Sequence, residues 1–303
     1  MTRSSIDLAG IFPPLPTLFS ADGDLDLDAM TRHLDHLRGF DLRGAVVLGS
    51  NGEAVHLDAG ERARLIEHVR MRIPGGRWMI VGTGRQSTRD TIAASRQAAA
   101  LGADAVLVLP PHYYRGRMTR DALVAHFHAV ANASSVPVVL YNMPACTGID
   151  MDVATVLAAA EHDNIIGLKE SGGDVTKLGA LHQALGDRFH LLAGSAGFLL
   201  PALSVGAVGG VLALANIAPD RCLEILTRVD AGDWSCARAI QCRIVDANTA
   251  VTRRWGVAGL KAAMNLLGLP GGAPRRPLLP LTGIEIEELR RILVDAGILG
   301  STS

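Results

Sequence analysis

The sequence predicts a (β/α)8 barrel with a helical C-terminal extension, and three observations carry that expectation. Short apolar runs of strand type alternate with segments of helical period from near the start to about residue 215. There are eight such runs, the number that closes a barrel of about 200–250 residues. The first run leads into Phe19-Ser20-Ala21-Asp22-Gly23, which is not the glycine-rich phosphate turn that opens a doubly wound sheet.

In chain order the strand-type runs are 11–19, 44–48, 78–82, 105–109, 136–141, 165–169, 190–193 and 209–213. They are apolar on both faces, as strands of a parallel sheet covered by helices must be. The helical segments between them are 28–40, 58–71, 88–101, 119–131, 150–161, 174–185 and 196–205. Beyond residue 215 the β pattern stops. Segments 219–230, 234–253, 256–267 and 285–296 read as helices, with a Pro/Gly-rich passage at 269–280. The expected division is a catalytic barrel over 1–215 and a helical extension over 216–303.

Composition narrows the possible functions. Of 303 residues, 49% are hydrophobic and 19% charged, and the formal net charge is −1, so a large core is available. No basic block suggests a nucleic-acid groove, and no cationic patch suggests a membrane anchor. Apolar runs such as 201–218 are broken by glycine and proline, too short and interrupted for a membrane span. Cys146, Cys222, Cys236 and Cys242 are scattered without ligand spacing and are expected to be reduced thiols with no metal or redox role. His126 and His128 stand without further ligands and are expected at the surface. Residues 1–10 lack the apolar core of an export signal. A soluble, cytoplasmic protein that meets a small molecule or its own copies is expected.

In a barrel, reactive groups come from the carboxyl ends of strands. Lys169 ends the sixth run, in Ile165-Ile166-Gly167-Leu168-Lys169-Glu170-Ser171. Lysine is a poor strand residue unless its amine reaches water or has a task. Held in a pocket, a lysine amine is a nucleophile that forms an imine with a ketone; the bland alternative is an amine that snorkels out to solvent. The second run ends in Gly49-Ser50-Asn51-Gly52-Glu53, a turn whose N–H groups and small polar side chains can hold a carboxylate, or can merely satisfy their own backbone. Tyr113 and Tyr114 follow the fourth run and Tyr141 closes the fifth. A phenol beside an amine can shuttle protons, although a single tyrosine is more often a packing aromatic. Neighbouring strands lie about 4.8 Å apart, which brings Tyr141 within range of Lys169. Gly82-Thr83-Gly84 reads as a tight turn, and Ser195 as a residue at the pocket edge. An imine-forming amine, a phenolic acid/base and a carboxylate cradle match chemistry on a 2-oxo acid, making or breaking its C3–C4 bond.

These residues resemble the pyruvate-dependent class I aldolases, the family that includes dihydrodipicolinate synthase and N-acetylneuraminate lyase. The likeness rests on the GxxGE pattern of Gly49–Glu53, the Tyr113–Tyr114 pair, Tyr141-Asn142-Met143-Pro144 and Lys169, and extends from about residue 11 into the C-terminal helices. Within the family the chain is most similar to 4-hydroxy-2-oxoglutarate aldolases of mitochondrial type, through GSNGE (49–53), YYRGRM (113–118), SGGDVT (171–176), LAGSAGFL (192–199), GAVGGV (206–211) and AVTRR (250–254). The resemblance implies Lys169 as Schiff-base lysine, Tyr141 as acid/base, and Ser50 with Asn51 at the 2-oxo carboxylate. It further implies Tyr113 as a phenol lent to a neighbouring subunit, Ser171 at the distal part of the substrate, no metal or organic cofactor, and a homotetramer of paired dimers. One departure is informative. Dihydrodipicolinate synthases usually carry an arginine just after the YNxP proline, whereas Ala145-Cys146 stands here, with Arg115 or Arg117 as conceivable substitutes. The expectation is therefore cleavage of 4-hydroxy-2-oxoglutarate to pyruvate and glyoxylate. The alternatives are dihydrodipicolinate synthesis or another lyase of the family and, from a different class, a silent barrel that senses a 2-oxo acid.

Overall fold

The computed structural model describes residues 6–300; the expectation for residues 1–10 falls partly on residues 1–5, outside those described. Eight strands form one parallel sheet: β1 (Gly10–Phe12), β2 (Gly44–Val47), β3 (Trp78–Gly82), β4 (Ala105–Val108), β5 (Val138–Asn142), β6 (Ile165–Glu170), β7 (His190–Ala193) and β8 (Gly209–Val211). Their order is β1-β8-β7-β6-β5-β4-β3-β2. The remaining seam, between β1 and β2, is drawn together by Arg43 N–H on the Ile11 carbonyl and Val46 N–H on the Pro13 carbonyl, both 3.0 Å, and by Leu15 N–H on the Val46 carbonyl at 2.9 Å. The chain is a (β/α)8 barrel with a helical C-terminal part, as the sequence predicts.

Alternation along the strands makes two cores. Phe12, Val46, Ile80, Leu107, Val139, Leu192 and Val211 fill the barrel interior. Their neighbours Ile11, Val47, Val81, Val106, Leu140, Leu168 and Leu191 pack outward under the helices. Burial on both faces is why these strands read as unbroken apolar runs. The first run, predicted over 11–19, stops as a strand at Phe12, because Pro13, Pro14 and Pro16 have no N–H to donate. The chain still runs alongside β2, with Pro14 bridging Val46. In the β5–β6 ladder Val138 faces Ile165 but Val139 faces Gly167, so Ile166 is an extra residue, a β-bulge.

The helices follow expectation with local departures. The crossover predicted at 150–161 is Val153–Ala159, preceded by a short helix Pro144–Thr147. The one predicted at 196–205 starts as a 3-10 turn before Leu199–Ser204. The C-terminal part comprises Pro219–Asp230, which lies against β1, then Trp234–Thr249, Gly256–Leu266 and Gly283–Asp295. Predicted helix 234–253 widens into a π-type turn over Ala250–Arg254, where the Thr252 hydroxyl donates to the Asn248 carbonyl at 2.6 Å. His126 is not a surface group. It is buried on Arg120–Ala133 beside Leu123, Phe127 and Val130, with Nδ1 2.9 Å from Thr88 Oγ1. Among the described residues no helix is long and apolar enough to cross a membrane.

Candidate active site

Tyr141 and Lys169 are direct partners across the β5–β6 ladder. Both point into the barrel mouth and each is only 3% exposed. The Lys169 Nζ lies 4.0 Å from the centroid of the Tyr141 ring, and the Tyr141 hydroxyl is 3.2 Å from Ser50 Oγ. The next residue on each strand turns outward. There the Asn142 amide donates to Glu170 at 2.8 Å and to Asp150 at 2.7 Å, while its carbonyl accepts from Met151 N–H at 3.0 Å. Lys177 completes this cluster with ion pairs to Asp150 and, at 3.3 Å, to Glu170. A polar clamp on the outer face thus fixes the two strand ends whose inner face presents the phenol and the amine.

Three lysines are buried, and they are not alike. Burial pulls the Lys177 ammonium down, but Asp150 and Glu170 outweigh it and hold its pKa above the usual lysine value. Lys261 is pulled below that value by burial, against the opposing charge of Glu53 at 2.6 Å. Lys169 has no ion-pair partner among the described residues, so its buried amine, unlike those of Lys177 and Lys261, is not committed to an acid.

The turn after β2 is the second part. Leu48 (φ 58°) and Glu53 (φ 49°) bracket it, the non-glycine residues with positive φ among those described. Such backbone persists only where surroundings enforce it. Glu53 is buried and gripped by Lys261 Nζ, by the Arg275 N–H at 2.9 Å and by His56 Nδ1 at 3.1 Å. Thr17 donates to the Gly52 carbonyl at 2.6 Å. The C-terminal part thereby buttresses the turn, a role for Lys261 and Arg275 that sequence reasoning missed. Ser50 is exposed at the turn, and Asn51 is half-buried with no side-chain hydrogen bond among the described residues.

A cavity of about 600 Å³ opens at this end of the barrel, and its wall includes Ser50, Tyr141, Leu107, Arg62, Arg85 and His112. Gly82 also lines it; a Cβ there would lie 2.1 Å from the Leu48 carbonyl oxygen, so a side chain would collide with the turn. Lys169 stands behind Tyr141 rather than on this wall, and Asn51, Tyr113 and Ser171 are also off it. Ser171 Oγ is buried and unpartnered among the described residues, against Gly194, whose lack of a side chain gives it room. Tyr113 is 77% exposed, edge-on to Tyr114 at 5.0 Å, with its N–H held by Gln86 Oε1 at 2.8 Å. Ser195 is half-buried and tied to Asn248 at 2.9 Å, and is not on the cavity wall. Arg115 and Arg117 are exposed and also off that wall. Sequence reasoning missed Arg62 and Arg85; the signal for Arg85 was its position just past a strand end.

The sequence pattern described as the dihydrodipicolinate synthetase family matches residues 7–296. A DapA-like lyase of Halobacterium salinarum is 37% identical over 294 residues, covering 97% of this chain and 96% of that protein. A probable mitochondrial 4-hydroxy-2-oxoglutarate aldolase of Emericella nidulans is 37% identical over 292 residues, 95% of this chain and 94% of that protein. The crystal structure of a chloride-inhibited dihydrodipicolinate synthase from Acinetobacter baumannii, complexed with pyruvate, superposes with a TM-score of 0.92 at 30% identity, covering 97% of this chain and 100% of that one.

Proposed function

The chain belongs to the dihydrodipicolinate synthetase family, and from that premise we propose that it is a Schiff-base lyase cleaving 4-hydroxy-2-oxoglutarate, or a near relative, to pyruvate and glyoxylate. The observation that carries this is the facing pair Tyr141 and Lys169, with the phenol linked onward to Ser50. In the proposed reaction Ser50 and Asn51 hold the 2-oxo carboxylate and Lys169 Nζ adds to C2. Tyr141 passes a proton to the departing hydroxyl, water leaves, and a protonated imine remains. Tyr141 then takes the proton of the 4-hydroxyl as C3–C4 breaks. The bonding pair moves to C3 as an enamine while C4 departs as the aldehyde carbon of glyoxylate. Protonation at C3 and hydrolysis of the imine release pyruvate and restore the amine.

Ser171 contributes a free hydroxyl to the part of the substrate beyond C3, and Tyr113 completes the proton relay of a neighbouring subunit in a homotetramer. The alternative, condensation of pyruvate with an amino aldehyde as in dihydrodipicolinate synthases, is supported by the structural likeness. It is disfavoured by Ala145-Cys146, which offers no guanidinium after Pro144. Borohydride reduction with pyruvate, followed by peptide mass analysis, tests the imine: a reduced adduct on Lys169 is expected, and its absence would rule the lyase out. Glyoxylate release against consumption of aspartate semialdehyde separates the two substrates.

A further inference from the structure

The cavity wall carries a charge that the proposed chemistry does not use. Arg62, on the helix Ala59–Arg70, and Arg85, just beyond β3, both line it together with Ser50 and Tyr141. Arg62 spends Nη1 on the carbonyls of Leu57 (2.6 Å) and Ala54 (3.3 Å), and Arg85 spends Nη1 on its neighbour's carbonyl, Gly84, at 2.8 Å. The Nε and Nη2 donors of both are without partners among the described residues. No carboxylate lies within ion-pair distance of either, again among the described residues. Arg70, Arg254 and Arg275, by contrast, each pair with an acid.

Arg85 is also held in place. Its N–H donates to Thr91 Oγ1 at 3.0 Å, and the same hydroxyl contacts its carbonyl at 3.3 Å. Burial, and then the Arg62 charge, lower its pKa to about 10, with Asp90 only partly offsetting them. Two half-buried guanidinium groups that repel each other are a cost unless an anion comes between them.

We infer that Arg62 and Arg85 form a carboxylate receptor on the β2–β3 side of the cavity, selecting a ligand ionised at the end remote from its ketone. The inference rests on the proposed lyase reading for the identity of that ligand. The distal carboxylate of a substrate is then read by guanidinium donors here, and the missing arginine after Pro144 is replaced from a different loop. Ser171, on the β6 side of the mouth, is left to the 4-hydroxyl.

The experiment compares 4-hydroxy-2-oxoglutarate with 4-hydroxy-2-oxopentanoate, in which a methyl group stands for the distal carboxylate. In the wild type the first is expected to be preferred. Arg85→Gln should cut that preference about tenfold or more through KM, the scale of one lost ionic contact, while pyruvate still forms its adduct on Lys169. If the preference survives in Arg85→Gln, the inference is overturned even where competitive inhibition by succinate is lost, because the distal carboxylate of the substrate is then read elsewhere. If neither preference nor succinate inhibition changes, the inference is overturned. Arg62→Gln can loosen the turn it supports, so Arg85→Lys, which keeps the charge but not the fork, serves as the second variant; partial rescue of the preference is expected. Failure of the Lys169 adduct in the wild type would instead remove the lyase reading, and succinate titration by calorimetry would still test the receptor.

Discussion

The Asn142 amide reaches the buried carboxylate of Glu170 at 2.8 Å across the β5–β6 seam, one residue beyond the facing pair Tyr141 and Lys169. The same carboxylate receives Lys177. Glu170→Gln should therefore leave Lys177 under-compensated and cost about 3 kcal/mol, the scale for breaking a buried pair. Chemical denaturation checks the stability. A parallel fall in the rate of pyruvate adduct formation is expected, because the strand ends that hold the amine lose their clamp.

Lys169 and Lys261 are expected to separate chemistry from stability. Lys169 has no ion-pair partner among the described residues, so Lys169→Met should change stability by about 1 kcal/mol or less while abolishing turnover and the adduct. Lys261→Met leaves Glu53 buried beside the turn without its ammonium, and a loss of about 3–5 kcal/mol is expected. Denaturant midpoints of the two variants, measured side by side, decide this; equal losses would contradict the distinction.

Tyr141→Phe removes one hydroxyl and keeps the ring against the Lys169 amine. A fall in kcat of about 100-fold or more is expected, the usual contribution of a positioned acid/base, with little change in the denaturation midpoint. Single-turnover kinetics should show imine formation slowed rather than prevented.

Stability should also depend on pH through two buried histidines. Burial lowers His33 from 6.5 to about 4, opposed by its hydrogen bond to Asn216, and burial lowers His126 to about 4 as well. The unfolded chain takes up protons below pH 6.5 while the folded chain resists until about pH 4, so stability falls as pH drops through that window and levels off beneath it. Each group contributes on the order of 3 kcal/mol across the window. Denaturation midpoints at stepped pH check the slope, and His126→Gln should reduce it by about half, leaving the part due to His33.

Much of this was legible from residue order. Eight apolar runs announce eight strands because both faces of each are covered, and the strand-end rule points to Lys169, Tyr141 and Ser50. What escaped has identifiable causes. His126 looks like a solvated group in isolation, yet it stands three residues after Leu123 and four before Val130, the spacing that marks the buried face of its helix. Lys261 and Arg275 reach the turn after β2 across more than 200 positions, a closure no local pattern encodes. Arg85 escapes because Gly82-Thr83-Gly84 reads as a tight turn, a pattern carried by the glycines that says nothing of the side chain after them.

The single surplus residue at Ile166 has a consequence for what β6 can tolerate. If the strand were straightened without shortening, Lys169 would drop opposite Asn142 and turn its amine to the helices, and the Glu170 carboxylate would swing into the mouth. A chain that lost Ile166 would instead keep the amine where it is, since the ladder beyond it already counts as though that residue were absent. Shedding one residue from this strand should thus be far gentler than gaining one.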